Sequence, residues 1–325
     1  MIISRTPLRI SLVGGGTDFE EFYRAETGAV ISTAIDTDIY VTVNRRIDDL
    51  IRVSYSKTEI VDDVEALQHE LIREALTLTG TTRGVEVTTI AEIPGKGTGL
   101  ASSSALTVGV LHALYAYQGM TVTPERLARE AYHIEHEILR QPIGKQDQYI
   151  AAYGGLRRLD FAPGGDVGVT SVDLPSERRH ALEERLLLFF TGITRSASSV
   201  LHDQRARVEE NRHVLRELKQ LVDELERCLR DGGPLDHVGE ILHQGWSLKQ
   251  RLSDSIAGNG LATLYARARA AGALGGKIAG AGAGGCLLLY CPPEHQPAVR
   301  QSLADLREIP FHFESEGSKI VYDGR

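Results

Sequence analysis

Apolar residues along this chain recur at two spacings. Short runs with two-residue alternation predict strands: "ISRTPLRISLVGG" from Ile3, "DIYVTVNRR" from Asp38, "LIRVSYS" from Leu50 and "GVEVTTIAEIP" from Gly84, each bounded by turn residues. One helix is predicted among them, around Val64 to Thr77. Leu106, Val110, Leu111 and Leu114 then recur three and four apart, which predicts a helix over Leu100 to Tyr117. The next helix, "PERLAREAYHIEHEIL", opens on Pro124, a residue suited to a helix start. Strand-like runs follow from Gly155 ("GLRRLDF"), Val167 ("VGVTSVDL") and Arg185 ("RLLLFFTG"). This order is that of an α+β layer domain.

From Ser198 the pattern becomes that of a long charged helix ending at Gly232 and Gly233, with Leu215, Leu218, Val222, Leu225 and Leu229 as its apolar stripe. Fewer than three heptads are clean, which favours a helix packed on its own domain over a coiled coil. Two more helices and the strand-like groups "CLLLYC" from Cys286 and "FHFESEGSKIVYD" from Phe311 complete a second α+β domain. The expected division is residues 1–180 and 181–325.

Length and charge narrow the function. A chain of 325 residues accommodates about two domains, and its 42% hydrophobic and 25% charged residues are those of a folded protein. The net charge of −8 argues against nucleic acid or an anionic membrane as the main partner. Arg5 and Arg9 interrupt the only apolar stretch near the N-terminus, so no secretory signal is read there. Residues 97–124 carry no Asp, Glu, Lys or Arg, but their glycines, serines and threonines point to a buried helix rather than a membrane span. Cys228, Cys286 and Cys291 show no metal-like spacing and fit small buried residues in a reducing cytoplasm.

Chemistry concentrates in four stretches. In "IPGKGTGLASSSALTVG", Ile93 to Gly109, Gly95, Gly97 and Gly99 let the backbone approach a ligand and run into a helix N-terminus, where open N–H groups favour an anion. A serine-capped turn is the plain alternative. "GAGAGG" from Gly280 matches a dinucleotide pattern, but a strand follows it where a helix is needed, so the nicotinamide reading is rejected. "PLRISLVGGGTDF" gathers Arg9, Gly15, Gly16, Thr17 and Asp18 at a strand end, material for binding a polyol, although Asp18 could simply cap a helix. "IEHEILRQPIGKQDQY" offers Glu135 and Asp147; its His133 and His136 lack the spacing of a zinc motif.

Taken in order, "PLRISLVGGGTDF", "IPGKGTGLASSSA" and "KIAGAGAGGC" resemble the three motifs of the GHMP small-molecule kinases, and "EHEILRQPIGKQDQY" is similar to the galactokinase segment with a metal-binding Glu and a catalytic Asp. The resemblance implies a two-domain α+β kinase with mostly antiparallel sheets and the active site in the cleft. It implies ATP as co-substrate, with Gly95, Gly97, Gly99, Leu100, Ala101 and Ser102 facing the triphosphate, Ser103 and Glu135 holding Mg²⁺, and Asp147 acting as base beside Arg9. Gly15, Gly16, Thr17, Asp18 and Gly144 would grip sugar hydroxyls.

Galactokinases carry Glu-His at Gly15 and Gly16, which disfavours galactose. "AIDTDIYVTVNRR", "PIGKQDQY", "FTGITRSAS" and "GWSLKQRLSDSI" resemble the D-glycero-D-manno-heptose 7-phosphate kinases of bacterial surface-polysaccharide synthesis, with fucokinase-like or unphosphorylated-heptose kinases as alternatives. A sensor that binds sugar and ATP without turnover is disfavoured by the joint presence of Ser103, Glu135 and Asp147. An anionic acceptor calls for cations, and Lys145, Arg195 with Ser196, and Lys249 or Arg251 are the candidates. The partners expected are therefore a sugar phosphate and ATP, with a homodimer left open.

Overall fold

The structure, a computed structural model, describes residues 1–93, 97–193, 197–256, 258 and 260–325. Its first half runs β1 (Ile2–Val13), α1 (Glu20–Tyr23), β2 (Gly28–Arg45), β3 (Ile51–Ser54), β4 (Thr58–Val61), α2 (Glu70–Thr79), β5 (Val85–Ala91), α3 (Ser102–Tyr117), α4 (Pro124–Tyr132), a π-helical turn (His133–Ile138), α5 (Gln146–Tyr153), β6 (Leu156–Phe161) and β7 (Val167–Ser171). The second half runs α6 (Ser176–Glu183), β8 (Leu186–Phe190), α7 (Ala197–Ala206), α8 (Arg212–Arg230), α9 (Asp236–Lys249), α10 (Leu261–Ala270), β9 (Gly275–Ile278), β10 (Cys286–Tyr290), α11 (Gln296–Ser302), β11 (Arg307–Glu308) and β12 (Lys319–Asp323).

Two sheets result. The larger follows the order β12-β1-β2-β5-β3-β4, with β6 and β7 added beside β2; all its pairs are antiparallel except β3 with β5. The smaller, β11-β8-β10-β9, is antiparallel throughout. Strand β2 is long enough to serve two neighbours, β6 through Gly28–Thr33 and β5 through Ile39–Arg45. Pro7, which has no N–H to donate, sits where the β1–β2 register shifts, the place a strand tolerates it. From Thr6 to Val13 β1 is buried at every position, because helices α3, α5, α8 and α9 pack on the strand. That burial holds Arg9 rigidly in the protein interior.

The stripe of α8 is buried as expected, and it covers β2 and α9 within its own chain. Two expectations are corrected. The long helix from Ser198 is broken at 207–211 into α7 and α8, where Asn211 donates its side-chain amide to the Leu252 carbonyl at 3.1 Å. The segment from Phe311 does not complete the second domain: Phe313 bridges to Ile35, and β12 pairs with β1 from Ile2↔Asp323 to Arg5↔Lys319. An alternating segment joins whichever sheet edge is free, and its return covers the edge of β1. Among the described residues no helix is long and apolar enough to cross a membrane.

Candidate active site

Helix α3 begins with its donors exposed. Ala101 precedes it with φ +66°, and no side chain caps the first turn, so the N–H groups at Ser102 to Ser104 lack helical acceptors. They open on a cavity of about 830 Å³ lined in part by Gly97, Ala101, Ser102 and Ser103. The loop before the helix is locked from behind by the glycine segment that follows β9. A Cβ on Gly99, whose φ is +76°, would lie 2.5 Å from the Ala279 carbonyl oxygen, and the Cys286 N–H donates to the Thr98 carbonyl at 2.9 Å. "GAGAGG" thus serves as a backbone buttress, consistent with rejecting the nicotinamide reading.

Arg9 crosses from β1 into this space. Its Nε and Nη2 donate to the two carboxylate oxygens of Asp147 at 2.7 and 2.8 Å, and its Nη1 donates to the Gly99 carbonyl at 2.8 Å. One guanidinium therefore fixes the carboxylate relative to the loop, a fork that lysine could not reproduce. Asp147 stands in the first turn of α5 with its side chain partly accessible, whereas Arg9 is buried.

Asp18 lies beside them, accepting from the Gly16 N–H at 3.0 Å and the Gln146 side-chain amide at 3.0 Å. Burial pushes its carboxyl above the usual range, and the nearby Asp147 adds to that. Gly144 is pressed against it: a Cβ there would fall 2.0 Å from Asp18 Oδ2. Asp18, Gly15, Gly16 and Gly144 all line the cavity.

Glu135 sits on the π-helical turn, a local widening of the helix often found at functional sites. It is fully buried at the cavity wall, where Ser104 Oγ donates to it at 3.2 Å and Gln148 Nε2 at 2.6 Å. Both partners are neutral, and burial pushes the carboxyl up to about 7. Among the described residues no group of three His, Cys, Asp or Glu side chains is gathered as a metal site. Mg²⁺, however, is commonly held by one or two protein ligands plus phosphate and water. A buried carboxylate without a cation, facing the same cavity as the Ser103 hydroxyl, fits that demand.

Several expected residues are not brought to the cavity. Thr17 is buried with its hydroxyl bonded to the Gly14 and Ala29 backbone at 2.9 and 2.8 Å, a turn-holding role. Leu100 is fully buried beneath the loop, with its N–H directed at Thr98 Oγ1. Lys145 turns away: its ammonium donates to the Gly165 carbonyl and lies 4.7 and 5.2 Å from the ring centroids of Tyr23 and Tyr132. Aromatic faces and a carbonyl satisfy that charge internally, so it does not serve as a phosphate contact in this arrangement. Arg251 is exposed on the surface near Glu217. Gly95, Arg195 and Ser196 lie outside the described residues. His133 and His136 engage Glu137 and the Gln141 carbonyl separately.

Other lining residues escaped the sequence reading. Lys277 on β9 is buried, donates to the Ser11 and Leu12 carbonyls at 2.8 and 3.2 Å, and is held by burial well below an ordinary lysine. Its signal was present: a lone cation in the otherwise apolar and glycine-rich "GGKIAGAGAGG". Gln146 and Gln148 flank Asp147 and bind Asp18 and Glu135, but glutamine on a helix start carries no such mark.

Comparison with known proteins agrees with this architecture. The model for the N-terminal domain of GHMP kinases matches residues 64–155 and that for the C-terminal domain matches residues 221–307. D-glycero-alpha-D-manno-heptose 7-phosphate kinase of Campylobacter jejuni is 28% identical over 98% of both chains. The crystal structure of a D-glycero-D-manno-heptose 1-phosphate kinase from Bacteroides thetaiotaomicron superposes with a TM-score of 0.83, 22% identity and full coverage of both chains. Galactokinase of Lactococcus lactis, crystallised with galactose, gives 0.75 at 19% identity over 98% of this chain and 94% of its own.

Proposed function

The chain belongs to the GHMP kinase family, and on that premise we propose that it phosphorylates the anomeric hydroxyl of D-glycero-D-manno-heptose 7-phosphate from ATP, giving the 1,7-bisphosphate. The observation that carries a phosphoryl-transfer reading is the Arg9–Asp147 fork, set between the uncapped N-terminus of α3 and the Asp18 carboxyl in one cavity. The full-length likeness to the Campylobacter kinase supports the acceptor. On this reading the product serves nucleotide-activated heptose synthesis for surface polysaccharide, in the cytoplasm.

In this assignment the N–H groups at Ala101 to Ser103 cradle the triphosphate, while Gly97 and Gly99 keep side chains out of its way. Asp147 orients the acceptor hydroxyl and takes its proton as the bond to phosphorus forms. Arg9 fixes the orientation of that carboxylate and meets the charge developing on the transferred group. Asp18, held by Gln146 and the Gly16 N–H, accepts from the sugar hydroxyls, with Gly15, Gly16 and Gly144 leaving room for the ring. Ser103 and Glu135 would hold Mg²⁺, which when bound neutralises phosphate charge and supplies the countercharge that Glu135 lacks within the protein.

The test is a coupled ADP-release assay on the purified protein with heptose 7-phosphate, free heptose, L-fucose and galactose, with the product's phosphorylated position read by phosphorus NMR. Heptose 7-phosphate should give the highest kcat/KM and a new phosphorus doublet from coupling to the anomeric proton. A free sugar preferred over it would overturn the acceptor. Binding of Mg·ATP and sugar without ADP release would favour the sensor reading instead.

A further inference from the structure

Lys249, the last residue of α9, places an ammonium at the cavity wall that the reaction above does not use. The residue is 7% exposed, and its Nζ donates to the Gly280 carbonyl at 2.9 Å. An ammonium has three N–H donors, and among the described residues no carboxylate lies within ion-pair distance of this one. A buried cation so placed is costly unless something anionic joins it. Lys277 is different, because two backbone carbonyls behind β1 already take its donors.

Other polar groups converge at the same corner. A Cβ built on Gly15 would lie 3.6 Å from Lys249 Nζ, 3.8 Å from Gln146 Nε2 and 3.8 Å from Ser11 Oγ. Among the described residues the buried Ser11 hydroxyl has no partner, and neither has the Gln146 carbonyl oxygen, whose amide is spent on Asp18. The corner thus offers an ammonium with N–H donors to spare and one unpartnered hydroxyl beside the carboxyl assigned to the sugar. Because residue 15 has no side chain, nothing stands between those donors and the cavity.

We propose that this corner is the subsite for the acceptor's own phosphate, with Lys249 as the residue that selects a phosphorylated sugar over a free one. The inference rests on the reading of the acceptor as a sugar phosphate and assigns its recognition to Lys249 of the second half of the chain together with Ser11 of the first. The same ammonium could instead serve the phosphoryl group leaving ATP, since Gly280 packs against Gly99 of the phosphate loop. The two sources of phosphate predict different kinetics.

Lys249→Met keeps the aliphatic stem and removes the charge. It should lower kcat/KM for heptose 7-phosphate by roughly 10- to 100-fold, the scale of one lost charged hydrogen bond, change that for free heptose by less than about threefold, and leave the KM for ATP unaltered. Equal losses on both sugars, or a raised KM for ATP, would assign the ammonium to the transferred phosphoryl and overturn the proposal. Should Lys249→Met fail to fold, Ser11→Ala keeps the lysine and removes the other donor at the corner. The same selective loss is expected, and an unselective loss or none refutes the subsite. Wild-type preference for free heptose defeats the acceptor reading itself, whereas wild-type preference for heptose 7-phosphate with unselective mutants defeats only this inference.

Discussion

The cleft treats charge in two ways. At its centre Arg9 and Asp147 answer each other through two short hydrogen bonds, and at its flanks Glu135 and Lys249 are buried with neutral hydrogen-bond partners, among the described residues, and no ion pair of their own. A forked ion pair is complete without ligand and fixes the orientation of its carboxylate in advance. Lone buried ions are the reverse: each costs folding energy until a ligand supplies the opposite charge. The difference separates groups that act on the reacting atoms from groups that recognise what arrives. It also explains how an acidic protein can hold anions, since Arg9, Lys249 and Lys277 are buried along the one cavity.

The comparison breaks most visibly at its centre. Asp147→Asn retains the shape of the pair but removes the base, and turnover should fall by about 10³-fold or more while Mg·ATP affinity stays within a few-fold. ADP release together with calorimetric titration of Mg·ATP measures both. Near wild-type turnover would reduce the pair to scaffolding.

At the flank the effect should be smaller and rescuable. Glu135→Gln keeps the contacts from Ser104 and Gln148 within reach, yet it deletes the only charge offered to Mg²⁺, so the Mg²⁺ concentration for half-maximal rate should rise roughly tenfold or more. Saturating Mg²⁺ should restore most of the rate. An unchanged Mg²⁺ dependence would leave Glu135 as a structural acid. Smaller again is Gly144→Ala, which drives a methyl into Asp18 and should cost about 1–3 kcal/mol, felt as a raised KM for the sugar with that for ATP intact. An unaltered sugar KM would separate Asp18 from the acceptor.

Much of this was legible in the chain because the signals are local. Glycines before α3, the apolar spacing within it and the stripe of α8 each specify structure within a few residues. Arg9 and Asp147 are 138 residues apart, and only the ordered set of motifs, not spacing, suggested that they meet. Side-chain direction was not legible at all. Lys145, two residues from Asp147, turns to two tyrosines, whereas Lys249, a candidate of equal standing in the sequence, lines the cavity and Arg251 beside it faces the surface. The return of β12 to the first sheet was hidden likewise, since alternation predicts a strand but not its partner.

The smallest effect distinguishes the lone lysine from the paired residues by pH. Burial, opposed by Asp18 and reinforced by Arg9, lowers the Lys249 ammonium from 10.5 to about 8, with Asp147 also favouring its charged form. Between those values the unfolded chain binds a proton that the native protein has released, so this group makes stability rise with pH from about 8 to 10.5, by at most about 1.4 kcal/mol per unit. Below about pH 8 the full cost of burying the charge is present. Lys277 contributes in the same direction, which makes the difference between wild type and Lys249→Met the informative quantity. That difference should shrink by the Lys249 share as pH rises, as read by urea unfolding from pH 7.5 to 9.5. An anionic ligand at the corner should restore the proton, so heptose 7-phosphate binding at pH 8.5 should take up protons in wild type and not in the variant. Calorimetry in two buffers of different ionisation enthalpy reads that uptake, and equal heats after buffer correction in both proteins would place the phosphate elsewhere.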